Sequence, residues 1–191
     1  RSVGVTGVQT CALPISANAL TIFRIAAVPF IVALLYFPAP LTCLLAAIFF
    51  LIAILTDLAD GFIARRYNQV TNFGKFLDPL ADKILIASVL IMLSSLGWVP
   101  AWITIIIVVR EILVTGLRAI AADKGQVIAA DRYGKLKTIM QSAALVPLVH
   151  HYPFLGTDLA LLGQILLLAA VVLTVFSGWN YLYSFYRLWG E

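Results

Sequence analysis

The sequence is short of charge. Only 12% of its 191 residues are Asp, Glu, Lys or Arg and 62% are hydrophobic, whereas a soluble domain typically has about 25% charged and 45–50% apolar residues. This imbalance excludes an ordinary soluble domain and predicts an integral membrane protein. The two cysteines, Cys11 and Cys43, are too few for a disulfide framework. The net charge of +4 suits anionic lipid headgroups or a phosphate-bearing substrate, and we expect no nucleic acid partner.

The first sixteen residues differ from the rest. Residues 1–16, RSVGVTGVQTCALPIS, lack helical periodicity and look like a translated sequencing adapter joined to a truncated reading frame. We expect this segment to be non-native and exclude it from the fold. Residues 17–191 are expected to form one membrane domain, because spans of about 20 apolar residues with short loops leave no room for a separate soluble domain.

Apolar runs in residues 17–191 predict an all-α bundle of six transmembrane helices. The predicted spans are 17–37, 41–63, 75–96, 101 to beyond 118, 136–149 and 159–186. Lys and Arg are absent from the loops near 37–40, 97–101 and 150–158. Because Lys and Arg accumulate in short cytoplasmic loops, both termini are predicted to face the cytoplasm. Six aromatic residues are expected at the membrane interfaces, namely Trp98, Trp102, Trp179, Tyr181, Tyr183 and Trp189.

Four aspartates, Asp57, Asp60, Asp78 and Asp82, are flanked on both sides by apolar spans. An ionised carboxylate is costly at membrane depth, so such acids usually pair, line a wet cavity or bind cations. Residues three and four apart share a helix face, so the second and third spans are predicted to bring two carboxylate pairs together. Oxygen ligands select hard cations. We expect Mg²⁺, with Mn²⁺ or Ca²⁺ as alternatives.

The residues beside these acids suit phosphoryl-type transfer. Gly61 and Ala64 are small and leave room for a substrate, while Arg65 is placed to meet a diphosphate that the metals bridge. In such chemistry the protein supplies positioning and charge neutralisation. A carboxylate that is not fully engaged in metal coordination can accept the proton of an attacking hydroxyl.

The run from Asp57 to Asp82 resembles the signature of the CDP-alcohol phosphotransferases, D-x-x-D-G-x-x-A-R, eight residues, then G-x-x-x-D-x-x-x-D. Its fixed positions are all present, as Asp57, Asp60, Gly61, Ala64, Arg65, Gly74, Asp78 and Asp82. The segments ANALTIFRI, VTNFGKFLDPLADK, REILVTGLR, GKLKT and SGWNY extend the similarity over nearly all of residues 17–183.

The resemblance implies transfer of the phosphatidyl group from CDP-diacylglycerol to sn-glycerol 3-phosphate, giving phosphatidylglycerophosphate and CMP in phospholipid biosynthesis. It implies two divalent ions on Asp57, Asp60, Asp78 and Asp82, with Asp82 also the general base. It places the CDP moiety against Gly61, Ala64, Arg65 and Gly74. It further implies a homodimer in the bacterial inner membrane. The distribution of Lys and Arg predicts that the active site faces the cytoplasm.

Two further groups of polar residues are candidates for substrate binding. Arg110 and Arg118, with Lys135 and Lys137, are expected to grip the acceptor phosphate. An ion pair of Arg110 with Glu111 and contact of the lysines with lipid headgroups are the alternatives. From the first span, the residues expected to approach the nucleotide are Asn18, Thr21 and Arg24, although helix capping also accounts for Asn18 or Thr21.

Two other functions stay open. The same family chemistry with another acceptor, namely inositol phosphate, serine or phosphatidylglycerol, is the first, and the basic cluster favours a phosphorylated acceptor over serine. A cation transporter is the second, because intramembrane carboxylates also mark permeation paths. The acids cluster near one membrane face rather than through the bilayer, which argues against transport.

Overall fold

The computed structural model describes the backbone of residues 15–67, 72–123, 132–153 and 156–189, and the side chains of residues 21–56, 80–123, 133–153 and 156–187. Six α-helices are its elements: α1 (Ile15–Tyr36), α2 (Pro40–Tyr67), α3 (Asn72–Ser95), α4 (Ala101–Asp123), α5 (Arg132–His150) and α6 (Leu159–Trp189). The predicted all-α fold with six helices is confirmed. The largest differences are at α2, which continues to Tyr67, and at α5, which begins at Arg132 rather than at residue 136.

Local sequence explains where two of these helices begin and end. At the end of α3, Gly97 has a φ of 74°, and the amides of Gly97 and Trp98 donate to the carbonyls of Ser94 and Leu93. This is the Schellman arrangement, in which glycine adopts the left-handed conformation at little steric cost. At the start of α6, Asp158 Oδ1 accepts a hydrogen bond from the Ala160 amide at 3.0 Å, as an N-cap residue does.

The six helices close into a ring. Helix α1 packs on α2 and α3, α5 packs on α2 and α6, and α4 packs on α3 and α6, while α3 and α5 also touch across the middle. The interior is apolar over most of its length, and its fully buried large side chains include Leu35, Phe50, Leu93, Leu145 and Leu148. Each helix therefore has one face in the interior and another on the outside of the bundle.

The three loops without Lys or Arg meet at one end of the bundle. The ring of Trp98 stacks on that of His151 with centroids 3.7 Å apart, and the Tyr152 hydroxyl donates to the carbonyl of Pro38 at 3.4 Å. The loop that follows α1 is thus joined to the loops that follow α3 and α5. The helix ends that carry the candidate site lie at the opposite end.

The outer surface of the bundle is strongly apolar. Large side chains such as Ile112 and Val172 are each 68% exposed. Among the described residues, one helical stretch, Leu159–Arg187, is long and apolar enough to cross a membrane, and Thr21–Tyr36 and Pro40–Thr56 are shorter apolar helices. The six-helix architecture is established, whereas six crossings of a bilayer stay a prediction.

Candidate active site

Asp82 is the signature residue whose side chain the structure describes. It lies on α3, is 34% exposed, and accepts an ion-paired hydrogen bond from Arg24 Nη1 at 2.5 Å. Arg24 comes from α1 and is itself only 1% exposed. A guanidinium buried this deeply needs an anionic partner, and Asp82 is that partner, contributed by α3 to a cation of α1.

The other signature residues lie on described helices, but their side chains are outside the described residues. Asp57, Asp60, Gly61, Ala64 and Arg65 are on α2, Gly74 and Asp78 are on α3, and Asn18 is on α1. Within the part of the chain whose side chains are described, no group of three His, Cys, Asp or Glu could hold a metal ion. The predicted convergence of four carboxylates therefore stays a prediction.

The spacing of the four aspartates along their helices and the oxygen donors of their side chains are compatible with a hard cation. Asp57 and Asp60 are three residues apart on α2, and Asp78 and Asp82 are four apart on α3, so each pair shares a face of its helix. Every donor would be a carboxylate oxygen, which suits Mg²⁺ or Mn²⁺. Asp82 itself is partly exposed.

A cationic cavity of about 390 Å³ lies where α3, α4 and α5 meet. Its volume is in the range of sites for small ligands. It gathers five cations and a single carboxylate, Glu111, and the cations are Lys83, Arg110, Arg118, Lys135 and Lys137. The structure thus brings together all four residues predicted to bind the acceptor phosphate. Lys83 was not predicted as a site residue; its position next to Asp82 is the signal that could have identified it.

Glu111 stands between two of these cations. Its Oε1 forms ion pairs with Lys137 Nζ and, at 3.3 Å, with Arg110 Nη1. The predicted pairing of Arg110 with Glu111 is therefore present, and Arg110 lines the cavity as well. Lys137 is 2% exposed, so the alternative in which it meets lipid headgroups is wrong. Because α5 begins at Arg132, Lys137 lies inside the helix and points into the bundle.

Helix α6 contacts two of the arginines that line the cavity. Ser177 Oγ accepts a hydrogen bond from Arg110 Nη2 at 2.8 Å, and the Arg118 guanidinium lies 5.4 Å from the centre of the Tyr181 ring. Tyr181 is 4% exposed, so its ring packs inside the bundle, and its predicted place near a membrane interface stays a prediction. Thr174, Ser177 and Tyr181 are three and four residues apart and so share one face of α6, and that spacing was the available signal.

Two of the three α1 residues predicted near the nucleotide, Asn18 and Thr21, were also candidates for capping the helix. Helix α1 begins at Ile15, so Asn18 and Thr21 both lie inside it, and Thr21 is 1% exposed. The capping alternative therefore fails for Thr21, which is buried one turn before Arg24. Its predicted nucleotide contact stays a prediction.

A partly exposed acid, Asp82, beside an open cationic cavity is typical of one class of protein, a helical enzyme acting on phosphate-bearing substrates. A sequence profile of the family described as CDP-alcohol phosphatidyltransferase matches residues 14–176. The chain belongs to that family, and the assignment made from the aspartate signature is confirmed.

Curated relatives are similar over most of the chain. The CDP-diacylglycerol–glycerol-3-phosphate 3-phosphatidyltransferase of Bacillus subtilis (strain 168) is 42% identical over 177 residues, which cover 86% of this chain and 91% of the relative. A protein of the same name from Rickettsia bellii (strain RML369-C) is 42% identical over 170 residues, with 86% and 91% covered. The probable phosphatidylglycerophosphate synthase of Mycobacterium tuberculosis (strain ATCC 25618 / H37Rv) is 42% identical over 168 residues, with 86% and 78% covered.

Proposed function

We propose that this chain transfers the phosphatidyl group from CDP-diacylglycerol to sn-glycerol 3-phosphate, giving phosphatidylglycerophosphate and CMP. The names of the relatives state this donor and acceptor, and the activity inferred from the sequence is the same. The structural observation that carries the proposal is the cavity in which five cations surround one carboxylate, next to the acid Asp82. Such an excess of positive charge suits a phosphorylated acceptor.

The donor side of the site rests on the signature residues. Asp57, Asp60, Asp78 and Asp82 would hold two divalent cations, most suitably Mg²⁺. When bound, these ions neutralise charge on the diphosphate of CDP-diacylglycerol. The residues proposed to bind the CDP moiety are Gly61, Ala64, Arg65, Gly74, Asn18 and Thr21.

Asp82 is the proposed general base. The hydroxyl oxygen of the acceptor forms a bond to the phosphorus that carries diacylglycerol, the bond from that phosphorus to the CMP oxygen breaks, and the hydroxyl proton passes to the Asp82 carboxylate. Arg24 holds this carboxylate at 2.5 Å and so restricts its orientation. Restricting a reacting group in this way lowers the entropic part of the barrier.

The acceptor phosphate is proposed to bind in the cationic cavity. Arg110, Arg118 and Lys135 contact the phosphate. Lys137, which is paired with Glu111, adds positive charge from the interior of the bundle. Serine carries no phosphate to neutralise the excess positive charge, so it fits the cavity poorly. Family membership also removes the support for a cation transporter.

The protein is further proposed to be a polytopic, homodimeric protein of the bacterial inner membrane, with this end of the bundle at the cytoplasmic face. The apolar outer surface supports residence in a membrane. Loops without Lys or Arg at the opposite end support the orientation.

The test is product identification from a defined acceptor mixture. The purified protein in phospholipid nanodiscs receives CDP-diacylglycerol, Mg²⁺ and equal amounts of glycerol 3-phosphate, inositol phosphate and serine, and its lipid products are identified by mass spectrometry. We expect phosphatidylglycerophosphate with an equimolar amount of CMP, and neither when Mg²⁺ is removed with EDTA. Another lipid product would contradict the proposed acceptor, and absence of CMP release with every acceptor would overturn the transferase itself.

A further inference from the structure

We propose that one face of α6 positions the two arginines of the acceptor site, through Ser177 and Gly178 for Arg110 and through Tyr181 for Arg118. The inference rests on the proposed function, because it concerns how the acceptor phosphate is recognised. Ser177, Gly178 and Tyr181 do not line the cavity. They are positioning residues, and they act on the substrate only through the arginines that they hold.

The first contact fixes the end of the Arg110 side chain. Ser177 is 1% exposed, its hydroxyl donates to the carbonyl of Thr174 at 3.2 Å, and the same oxygen accepts from Arg110 Nη2 at 2.8 Å. Since the hydroxyl proton is used on the backbone, the oxygen presents a lone pair to the guanidinium. With Glu111 on Nη1, Arg110 is held on two sides.

The second contact fixes the stem of the same side chain. A Cβ added to Gly178 would lie 3.2 Å from Arg110 Cγ and 3.7 Å from Nε. Arg110 therefore crosses α6 at the position where that helix has no side chain, and close approach of this kind is what glycine permits. Any larger residue at position 178 would move Arg110 relative to the cavity.

The third contact concerns Arg118. Its guanidinium lies over the Tyr181 ring at 5.4 Å, a cation–π distance. Tyr181 is buried, and its hydroxyl has no hydrogen-bond partner among the described residues, so the contact with Arg118 comes from the ring. The Tyr181 ring therefore orients the guanidinium of Arg118, which is otherwise exposed at the mouth of the cavity.

Helix α6 is itself bound to α5 close to these contacts. Gln141 Nε2 of α5 donates to Thr174 Oγ1 at 3.1 Å, and both residues are buried. The anchor lies one turn before Ser177. The side chains of both arginines therefore contact a helix that is fixed to α5, from which Lys135 and Lys137 enter the same cavity.

The decisive experiment compares three glycine-to-alanine variants of the full chain in nanodiscs. Gly178→Ala should raise the KM for glycerol 3-phosphate about tenfold, because small misplacements of positioning groups are costly, and should leave the KM for CDP-diacylglycerol within about twofold. Gly116→Ala is the matched neutral control, since no atom lies within 4 Å of the added Cβ.

Gly163→Ala is the control for structural damage. Its Cβ would meet Leu148 Cγ at 2.7 Å and the Ala144 carbonyl at 3.0 Å, between α5 and α6, about 22 Å along the helix from Gly178. It should lower thermal stability without changing the acceptor KM. A rise of the acceptor KM in Gly163→Ala equal to that in Gly178→Ala would overturn the inference, because general loosening of α6 would then explain both.

Two further comparisons test whether α6 affects acceptor binding through the two arginines. Tyr181→Phe keeps the ring and should keep the acceptor KM, whereas Tyr181→Leu should raise it several-fold. In an Arg110→Ala background, Gly178→Ala should add nothing to the KM, because its effect is proposed to pass through Arg110. Additive effects in that background, or equal KM values for the Phe and Leu variants, would refute the positioning role.

Failure of this inference is distinguishable from failure of the proposed function. If the wild-type protein makes no phosphatidylglycerophosphate, the proposed function fails before any variant is compared. If the wild type is active and Gly178→Ala has unchanged kinetics, the positioning role of α6 fails and the function stands.

Discussion

The two ends of the helical ring are built from different interactions. At one end, the loops after α1, α3 and α5 are joined by the stacked rings of Trp98 and His151 and by a hydrogen bond from Tyr152 to a backbone carbonyl. At the other end, Arg24 and Lys137 are buried and ion-paired with Asp82 and Glu111. Buried ion pairs are a poor way to stabilise a fold, because desolvation offsets much of their attraction. Their concentration at one end indicates that the charges are kept for chemistry.

The buried charges also share partners. Glu111 serves both Lys137 and Arg110, and Arg110 is held in addition by Ser177. A single substitution at this end should therefore disturb several groups, whereas one at the loop end should act locally. The variants below test that difference, from the largest expected effect to the smallest.

The largest effect is expected from Asp82→Asn. The amide keeps the shape of the side chain but cannot take a proton, so kcat should fall by about 10²- to 10⁴-fold while binding of the nucleotide is largely kept. Steady-state CMP release and titration with CDP-diacylglycerol measure the two quantities. Asp123→Asn, an exposed aspartate at the end of α4, is the control and should behave as wild type. A parallel loss of nucleotide binding would assign Asp82 to metal retention rather than to proton transfer.

Glu111→Gln should have the next largest effect, on stability. It leaves Lys137, which is 2% exposed, without its anionic partner, and removing one member of a buried pair typically costs about 3–5 kcal/mol. Thermal unfolding followed by circular dichroism in nanodiscs measures the loss. Adding Lys137→Met to this variant should recover much of the stability, because it removes the more deeply buried of the two cations that lose Glu111, while Arg110 keeps its hydrogen bond to Ser177. If Glu111→Gln melted with the wild type, the ion pair would be irrelevant to folding.

The fold was predictable because it follows from the lengths of apolar runs. Six runs gave six helices, and the end of α3 and the start of α4 follow from Gly97 and Pro100. The start of α5 was misplaced because polarity was taken as the sign of a helix end. Arg132 to Lys135 are helical despite their polar character, since a helix that enters a bundle from a polar surface needs only one apolar face.

The parts of the candidate site that depend on residue spacing along one helix were predictable. The parts that depend on side-chain contacts between different helices were not. The signature from Asp57 to Asp82 and the cations of α4 and α5 were found from the sequence. The contacts of Ser177 and Tyr181 with Arg110 and Arg118 join residues more than sixty positions apart, and nothing in local spacing encodes which helix packs on which. Arg24 was placed near the nucleotide, but its pairing with Asp82 required the packing of α1 on α3.

Arg118→Ala should have an intermediate effect that is confined to the acceptor. The residue lines the cavity and is exposed, so its loss should raise the KM for glycerol 3-phosphate about tenfold, as for one charge-assisted contact, with little change in the KM for CDP-diacylglycerol. Initial rates with each substrate varied in turn separate the two constants. Arg187→Ala, at the exposed end of α6, is the matched control. An unchanged acceptor KM would remove Arg118 from the site.

The smallest effect is expected at the loop end, from His151. Burial lowers the pKa of this imidazole from its ordinary value of 6.5, and Asp158 opposes the shift. The neutral ring is therefore favoured in the folded protein, so its contribution to stability is complete above pH 6.5 and is lost as the pH falls through the lowered pKa. His151→Phe keeps an aromatic ring against Trp98 and cannot titrate, whereas His151→Ala also loses the stacking, worth about 1 kcal/mol.

Thermal midpoints at pH 7.5 and pH 5 test this prediction. The midpoint of the wild type should fall more on acidification than that of His151→Phe, and His151→Ala should melt lowest at pH 7.5. Neither variant should change the acceptor KM at pH 7.5, because the loop end holds no charge that the cavity uses. A changed acceptor KM in His151→Ala would show that the two ends are coupled through the helices, and the division between a structural end and a chemical end would then be wrong.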